Sequence, residues 1–441
     1  MVEGRVAMAS AVQADLVDRL GRARVLVADE ARKACGLEVG AAGPLAVVRP
    51  ANIEHVEHIV KVGRLRHAVV VPRGRFPVSQ PEEVRDVVVL DVGALQRPPA
   101  VDIGRRTVTV GVGVELGQID RVARQARLCL RSMPGFDDGE KLGALLARGT
   151  PGELGLGEGS LLGEVVSAHV VTGGGRVLAV GAADMLAQTP WLGEGFANPL
   201  GQLLGSEGRL AILCEVTLRL HPAPTAAWCS VALPPTREAL LGAASLTRAL
   251  YSARLADTGL VRQTASGQQL DLRLITFRGE ADLAQVGTLA LELGMKFGIT
   301  LPPPEAEPRR VRLGLQAGAW PLRAAAQPSL ELRLSWPDLP GLYDLTSALY
   351  AEVGQVGERT WALGADSVLL RCSFGSVRPE LHPLVARSLL LFDAGAAPLG
   401  FGSLLRSAGR ERMPTSAKVL LTALQRAWDP EGVLSSRVGV L

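Results

Sequence analysis

From Leu45 the chain runs through LAVVRP, NIEHVEHIVKVGRLR, AVVVP and, after a loop, VVVLDV. The first is a short strand stopped by Pro50. The second sets Ile53, Val56, Ile59, Val60 and Gly63 on one helical face, behind Asn52 as N-cap. The third, Val69-Val70-Val71, is apolar on both faces, as a buried strand is. The order is β-α-β with a third strand, which demands a parallel crossover and fixes an α/β layer here. The loop leaving the second strand, RGRFPVSQ, begins Arg73-Gly74 like a phosphate cradle but continues Arg75-Phe76-Pro77.

A second unit follows. TVTVGVGV alternates Val108, Val110, Val112 and Val114 on one face of a half-buried strand. ELGQIDRVARQARL is a helix with Leu116, Ile119, Val122, Ala123 and Ala126 inward. LLGEVVSAHVVTGGGRVLAVG reads strand, Gly-rich hairpin turn, strand. GRLAILCEVTLRLHP is a long strand ended by Pro222. Past HPAPTAAW come a helix (TREALLGAASLTRALYSARL), a strand (DLRLITFRG) and a helix (EADLAQVGTLALELGMKFGI). Beyond the proline-rich LPPPEAEPRR, the segments SLELRLSW, PDLPGLYDLTSALYAEVG and SVLLRCSFG give strand, helix, strand, an α+β region of mostly antiparallel order. The tail is a helix and a proline-marked turn. No repeat with a period of 20–50 residues is visible. The expected division is a helical segment 1–44, a first domain 45–223, an α+β domain 224–390, and a segment 391–441 that returns to the first domain.

The 441 residues are 47% apolar, enough for a large core, and length suggests two to three domains. With 47 basic against 44 acidic residues and only 4% aromatics, nothing points to nucleic acid. No long apolar run free of charge and proline predicts a transmembrane helix. The N-terminus lacks the hydrophobic stretch of a signal peptide, so a cytoplasmic location is expected. Cys35, Cys129, Cys214, Cys229 and Cys372 are scattered, with no CxxC. That spacing excludes an ordinary iron–sulfur or zinc-ribbon site within this chain and fits reduced thiols. His55 and His58 stand one helical turn apart with no third ligand nearby, so they read as a solvated helix face and no metal site is expected.

In this order the segments resemble the FAD-binding domain of the vanillyl-alcohol-oxidase/PCMH flavoprotein family. AVVRPANIEHVEHIVKVGRLRHAVVVPRG resembles the opening β-α-β. VVLDVGALQRPPAVDIGRRTVTVGVGVELGQIDRVARQARL resembles the continuation into a second subdomain. KLGALLARG with SLLGEVVSAHVVTGGGRVL resembles a second flavin-contacting loop and its strand pair. LLGSEGRLAILCEVTLRLHPAP resembles a Gly-Ser-Glu-Gly turn and a strand along the cofactor, and ALQRAWDPEGVL the terminal helix. Within the family the chain is most similar to glycolate oxidase FAD-binding subunits, especially the shorter one, through LELRLSWPDLPGLYDLTSALYAEVG of the cap. The fold implied is α+β: a two-subdomain PCMH-type FAD-binding domain with an α+β cap. The cofactor implied is FAD, held non-covalently, because neither His67 nor Cys129 stands where members attach flavin.

A dinucleotide's pyrophosphate is held by a nest of backbone N–H groups, with glycine where φ must be positive. The resemblance implies cofactor contacts at Pro72, Arg73, Gly74, Arg75 and Ser79, at Pro134, Gly135, Leu142, Gly143 and Gly149, at Val165, and at Gly208 and Ile212. The donor set departs from the family. Arg75 and Phe76 replace glycines, Pro77 has no N–H, and Asp137, Asp138 and Glu140 bring negative charge near a phosphate. Weaker FAD binding is expected, partly restored if Arg73 or Arg75 pairs with phosphate. Arg273, Arg371 and Arg278 are candidates for a substrate carboxylate. No general base stands out, and LLRCSFGSVRPELHPLV holds His382 alone where related D-2-hydroxyacid enzymes carry paired histidines.

Three functions follow from the resemblance. The first is an FAD-dependent oxidoreductase that oxidises a small 2-hydroxy acid, glycolate- or D-lactate-like. It would work as a subunit of a larger complex with an iron–sulfur or flavoprotein partner. The second is a degenerate, non-catalytic paralogue serving as a binding or assembly subunit. The third, with the least support, is an NADPH-using cell-wall precursor reductase. Fold alone does not decide among them.

Overall fold

The computed structural model describes residues 2–38, 43–73, 87–130, 139–148, 161–181, 199–206, 208–264, 267–306, 329–353, 359–364, 367–373, 397–398 and 415–434. The first layer contains α1 (Val2–Leu20), β1 (Val25–Leu26), α2 (Ala28–Ala34), β2 (Ala46–Val48), α3 (Ile53–Leu65), β3 (Val69–Arg73) and β4 (Val87–Asp91). Its sheet order is β1-β2-β4-β3, with β2 and β3 both parallel to the central β4. This is the crossover that the apolar runs require. Asn52 caps α3, accepting from the His55 N–H at 3.0 Å, and Val56, Ile59 and Val60 are fully buried. One short element of this layer has too few residues to show a period. β1 pairs antiparallel with β2, and it separates α1 from α2 within the segment expected to be helical.

The second layer contains β5 (Ala100–Asp102), β6 (Thr107–Gly111), α4 (Leu116–Gln125), β7 (Leu128–Cys129), α5 (Leu142–Arg148), β8 (Val165–Thr172), β9 (Val177–Gly181), α6 (Leu200–Leu203), β10 (Ala211–Arg219) and β11 (His221–Pro222). An antiparallel sheet of order β5-β6-β10-β8-β9 shares one core with the first layer. The strand expected to run to Pro222 ends at Arg219. Residues 221–222 instead pair with β7, His221 opposite Cys129.

The cap contains β12 (Thr225–Leu233), α7 (Arg237–Ser252), β13 (Ala256–Thr264), β14 (Gly267–Thr276), α8 (Glu280–Lys296), β15 (Glu305–Ala306), β16 (Ser329–Ser335), α9 (Leu339–Val353), β17 (Arg359–Leu363), β18 (Ser367–Ser373) and β19 (Ala397–Pro398). The sheet order is β15-β12-β14-β13-β17-β18-β16-β19. Its two halves mirror one another. A β-α-β-β run ends in a short strand on β12 in one half and on β16 in the other, and β13 meets β17 at the centre. This duplication has a period far longer than 20–50 residues. Because β19 pairs with β16, the sheet extends past the expected boundary at residue 390. α7, α8 and α9 cover one face through a core that includes Leu240, Val286, Leu342 and Trp361.

The last helix, α10 (Thr415–Trp428), leads back to the first domain. Asp429 accepts from the N–H groups of Val433 and Leu434, both at 2.8 Å, and this turn puts the two side chains into the first core. Val70 N–H donates to the Val433 carbonyl at 2.8 Å, and Gly173 N–H to that of Trp428 at 3.1 Å.

Candidate cofactor site

The parallel strands β3 and β4 end at Arg73 and Asp91. Beyond the carboxyl ends of parallel strands is where an α/β layer leaves a crevice for ligands. Here Pro72, Arg73 and Val92 form one wall of an open cleft. The facing walls are Gly143, Ala144 and Ala147 of α5, Val112 after β6, Leu203 of α6, and Gly208 with the start of β10.

Two glycines hold these walls together. Gly208 turns at φ +78°, and a Cβ there would lie 2.4 Å from Pro72 Cγ, so the turn before β10 closes directly on the end of β3. At Gly143 a Cβ would lie 2.9 Å from Val112 Cβ. Without one, α5 packs against the β6 turn. Gly143 N–H donates to the Val112 carbonyl at 2.8 Å, and Leu142 N–H to that of Val114 at 3.1 Å. Both donors are used inside the protein.

Pro72, Arg73, Gly143, Gly208 and Ile212 thus come from three separated segments onto one cleft. Leu142, expected beside the cofactor, points into the core and is fully buried. Val165 opens β8 opposite Leu218, in the core and not on the cleft. Gly74, Arg75, Phe76, Pro77, Ser79, Pro134, Gly135, Asp137, Asp138 and Gly149 lie outside the described residues. Arg273 is buried in the cap sheet, with Nη1 on Asp257 Oδ2 at 2.5 Å, and Arg278 is exposed past the end of β14. Arg371 stands in β18 opposite Thr360 and Glu331. His55 Nδ1 accepts from Ala51 N–H and His58 Nε2 lies 3.3 Å from the Asp15 carbonyl. Among the described residues no cluster of His, Cys, Asp or Glu could hold a metal ion, and no helix is long and apolar enough to cross a membrane.

Among the described residues the lining is apolar apart from Arg73, whose charge also acts on Cys35. Burial raises that thiol's pKa, and the guanidinium pulls it down. Small side chains at Gly143, Ala144 and Ala147 leave room for a flat group to lie against α5, and one cation stands at the rim. This donor set fits the apolar part and one phosphate of a dinucleotide. The Ala144–Ala147 wall was missed in the sequence. Its signal was the run of small residues in KLGALLARG, one helical turn apart.

Residues 44–181 match the family model described as FAD binding domain. The chain is 29% identical over 184 residues to a D-lactate dehydrogenase of Archaeoglobus fulgidus, covering 41% of this chain and 40% of that one. It is 27% identical over 290 residues to a D-2-hydroxyglutarate dehydrogenase of Xanthomonas citri pv. viticola, covering 65% and 54%. The chain thus spans about half, or less, of the length of these curated relatives. Among solved structures, p-cresol methylhydroxylase with substrate bound aligns at TM-score 0.76 and 14% identity over 97% of this chain and 96% of that one. 4-Ethylphenol oxidase from Gulosibacter chungangensis aligns at TM-score 0.74 and 14% identity, with the same coverage. These two likenesses show the fold: α+β, a two-subdomain FAD-binding layer with a cap. Residues 44–181 are an FAD-binding domain of the PCMH type. The protein is a flavoprotein, and FAD is its cofactor.

Proposed function

We propose that this flavoprotein oxidises the hydroxyl-bearing carbon of a small 2-hydroxy acid, glycolate- or D-lactate-like, with FAD held non-covalently in the cleft. The observation that carries the reading is the convergence of Pro72, Arg73, Gly143, Gly208 and Ile212 on one crevice at the carboxyl ends of β3 and β4. The names of the two curated relatives, both dehydrogenases of D-hydroxy acids, support the substrate class. FAD, when bound, supplies the hydride acceptor. The chain's own residues bind and orient. Arg73 pairs with a phosphate at the rim. Ala144 and Ala147 admit a ring face, and the apolar walls of Val92, Val112 and Leu203 exclude water from it. The resemblance of residues 330–354 to the cap of glycolate oxidase subunits supports work within a complex, with electrons passed to a partner subunit.

A second reading, a non-catalytic paralogue, is favoured by one observation. Among the described residues that line the cleft, no side chain takes or gives a proton near neutral pH. Anaerobic mixing of the FAD-loaded protein with glycolate or D-lactate separates the two. Bleaching of the flavin's visible absorbance supports the oxidoreductase. A stable spectrum with every short 2-hydroxy acid leaves the paralogue.

A further inference from the structure

The sheet of the second layer has two unlike ends. One carries the β8–β9 turn and the start of β10. At the other, β10 runs out at Arg219, opposite Thr107, the first residue of β6. The backbone gathers three segments there. Leu220 N–H donates to the Arg106 carbonyl at 2.7 Å, and Ala223 N–H to that of Arg127 at 3.0 Å. Pro222 pairs with Leu128. Arg105, Arg106, Arg127 and Arg219 therefore share one end of the sheet, and all four are exposed.

These charges are not matched locally. The chain as a whole is near neutral, with 47 basic and 44 acidic residues. On segments 102–107, 127–129 and 219–223 the four arginines stand against one carboxylate, Asp102. Asp102 serves its own turn. Its Oδ1 accepts from the Arg105 N–H at 2.9 Å, and its Oδ2 lies 3.8 Å from Arg105 Nε, whose side chain is still 84% exposed. Two carboxylates on neighbouring elements are buried, Glu164 on His221 at 2.8 Å and Asp120 on Arg124 at 2.7 Å. Among the described residues the guanidinium groups of Arg106, Arg127 and Arg219 have no hydrogen-bond or ion-pair partner. The turn that holds Arg105 also lifts Ile103 to the tip of the β5–β6 hairpin, where it is 66% exposed.

We propose that this end of the FAD-binding domain docks on an anionic lipid membrane, with Ile103 entering the headgroup region and the arginines pairing with lipid phosphates. A guanidinium binds phosphate in two-point contact, and each basic side chain near an anionic lipid surface adds to the attraction. The balance of apolar and charged surface decides the kind of partner. A stable protein interface has an apolar core inside a polar rim. Here Ile103 is the one large aliphatic side chain exposed on these segments. A single apolar tip ringed by cations is instead the pattern of reversible attachment to a membrane surface. β10 spans nine residues, and the cofactor cleft at Ala211, Ile212 and Leu213 lies at its other end, away from the lipid.

The test is co-sedimentation of the FAD-loaded full chain with vesicles of phosphatidylcholine, alone or mixed with phosphatidylglycerol. The parent is expected to pellet with the mixed vesicles at low salt, to be released as salt screens the charges, and to stay in solution with phosphatidylcholine alone. Arg105→Gln with Arg106→Gln and Arg219→Gln should weaken binding to the mixed vesicles on the order of a hundredfold. Ile103→Ser should weaken it by about tenfold with every charge intact. Arg176→Glu, in the β8–β9 turn at the far end of the sheet, changes the net charge nearly as much and should bind like the parent. Each variant should keep the parent's flavin spectrum and Tm, which separates lost docking from lost folding. If the parent ignores the mixed vesicles, or if the triple variant binds them as tightly as the parent, the proposal is overturned. It is also overturned if Arg176→Glu loses as much as the triple variant, since net charge alone then drives binding. If vesicles leave the parent in solution while immobilised polyglutamate retains it through the same arginines, the surface serves an acidic protein and the membrane assignment falls.

Discussion

Gly208 is the residue on which the cleft depends most directly. Its φ of +78° disfavours any side chain, and a Cβ would overlap Pro72 at the end of β3. Gly208→Val should force the β10 turn away from β3 and cost about 1–3 kcal/mol. FAD titration of the stripped protein is expected to show affinity weaker by tenfold or more, with a lowered Tm, and Gly208→Ala to fall between. Cys129 gives a second prediction. Burial, mainly, pushes its thiol up to about 11 from an ordinary 9.0. The folded state then holds a proton that the unfolded state releases, so stability is intact below about pH 9 and falls as pH rises toward 11. Urea midpoints measured at steps across that window should fall, and alkylation of Cys129 at pH 8 should be very slow. Arginines show where the sequence stopped being informative. Arg273 and Arg262 both stand on a strand, on the same face, and composition does not tell them apart. Only the register that sets Asp257 against one and Asp271 beside the other decides which is closed and which reaches solvent.

At the scale of elements, the features with a period were legible. α3 with its Asn52 cap, the parallel β2, β3 and β4, and the β8–β9 hairpin stand where apolar spacing and turn residues predict them. β1, β11, β15 and β19 have two residues each, too few for any period, and only pairing defines them. The turn after α10 is of the same kind: one side chain, Asp429, satisfies two backbone N–H groups. Asp429→Ala leaves both donors buried without their acceptor, at about 1–3 kcal/mol each. Equilibrium denaturation should show a total loss of about 2–6 kcal/mol. Gly173→Ala should act in the same direction, because its Cβ would sit 2.1 Å from Asp429 Oδ1.

Across the whole molecule, the cap repeats one β-α-β-β plan about the β13–β17 seam. Its halves share topology but no spacing that a short-period search would detect. The cap meets the FAD-binding domain near Cys129, where Asp257–Arg273 is nearly closed to solvent. Removing one partner of such a pair leaves the other charge buried, at about 3–5 kcal/mol. Arg273→Met should therefore lower the denaturation midpoint and speed Cys129 alkylation, as the cap loosens on its neighbour. Asp257→Asn with Arg273→Met should recover much of the loss. A single variant as stable as the parent would show that the pair does not tie the two domains.

The docking of Val433 and Leu434 into a core made mostly of residues 12–220 bears on how the chain is made. During synthesis, the first domain emerges with a hole that only residues translated after the whole cap can fill. Contacts so distant in sequence form late and slowly. Nascent chains stalled before Trp428 should expose Val70 and its neighbours to proteases and chaperones, even with the cap already folded.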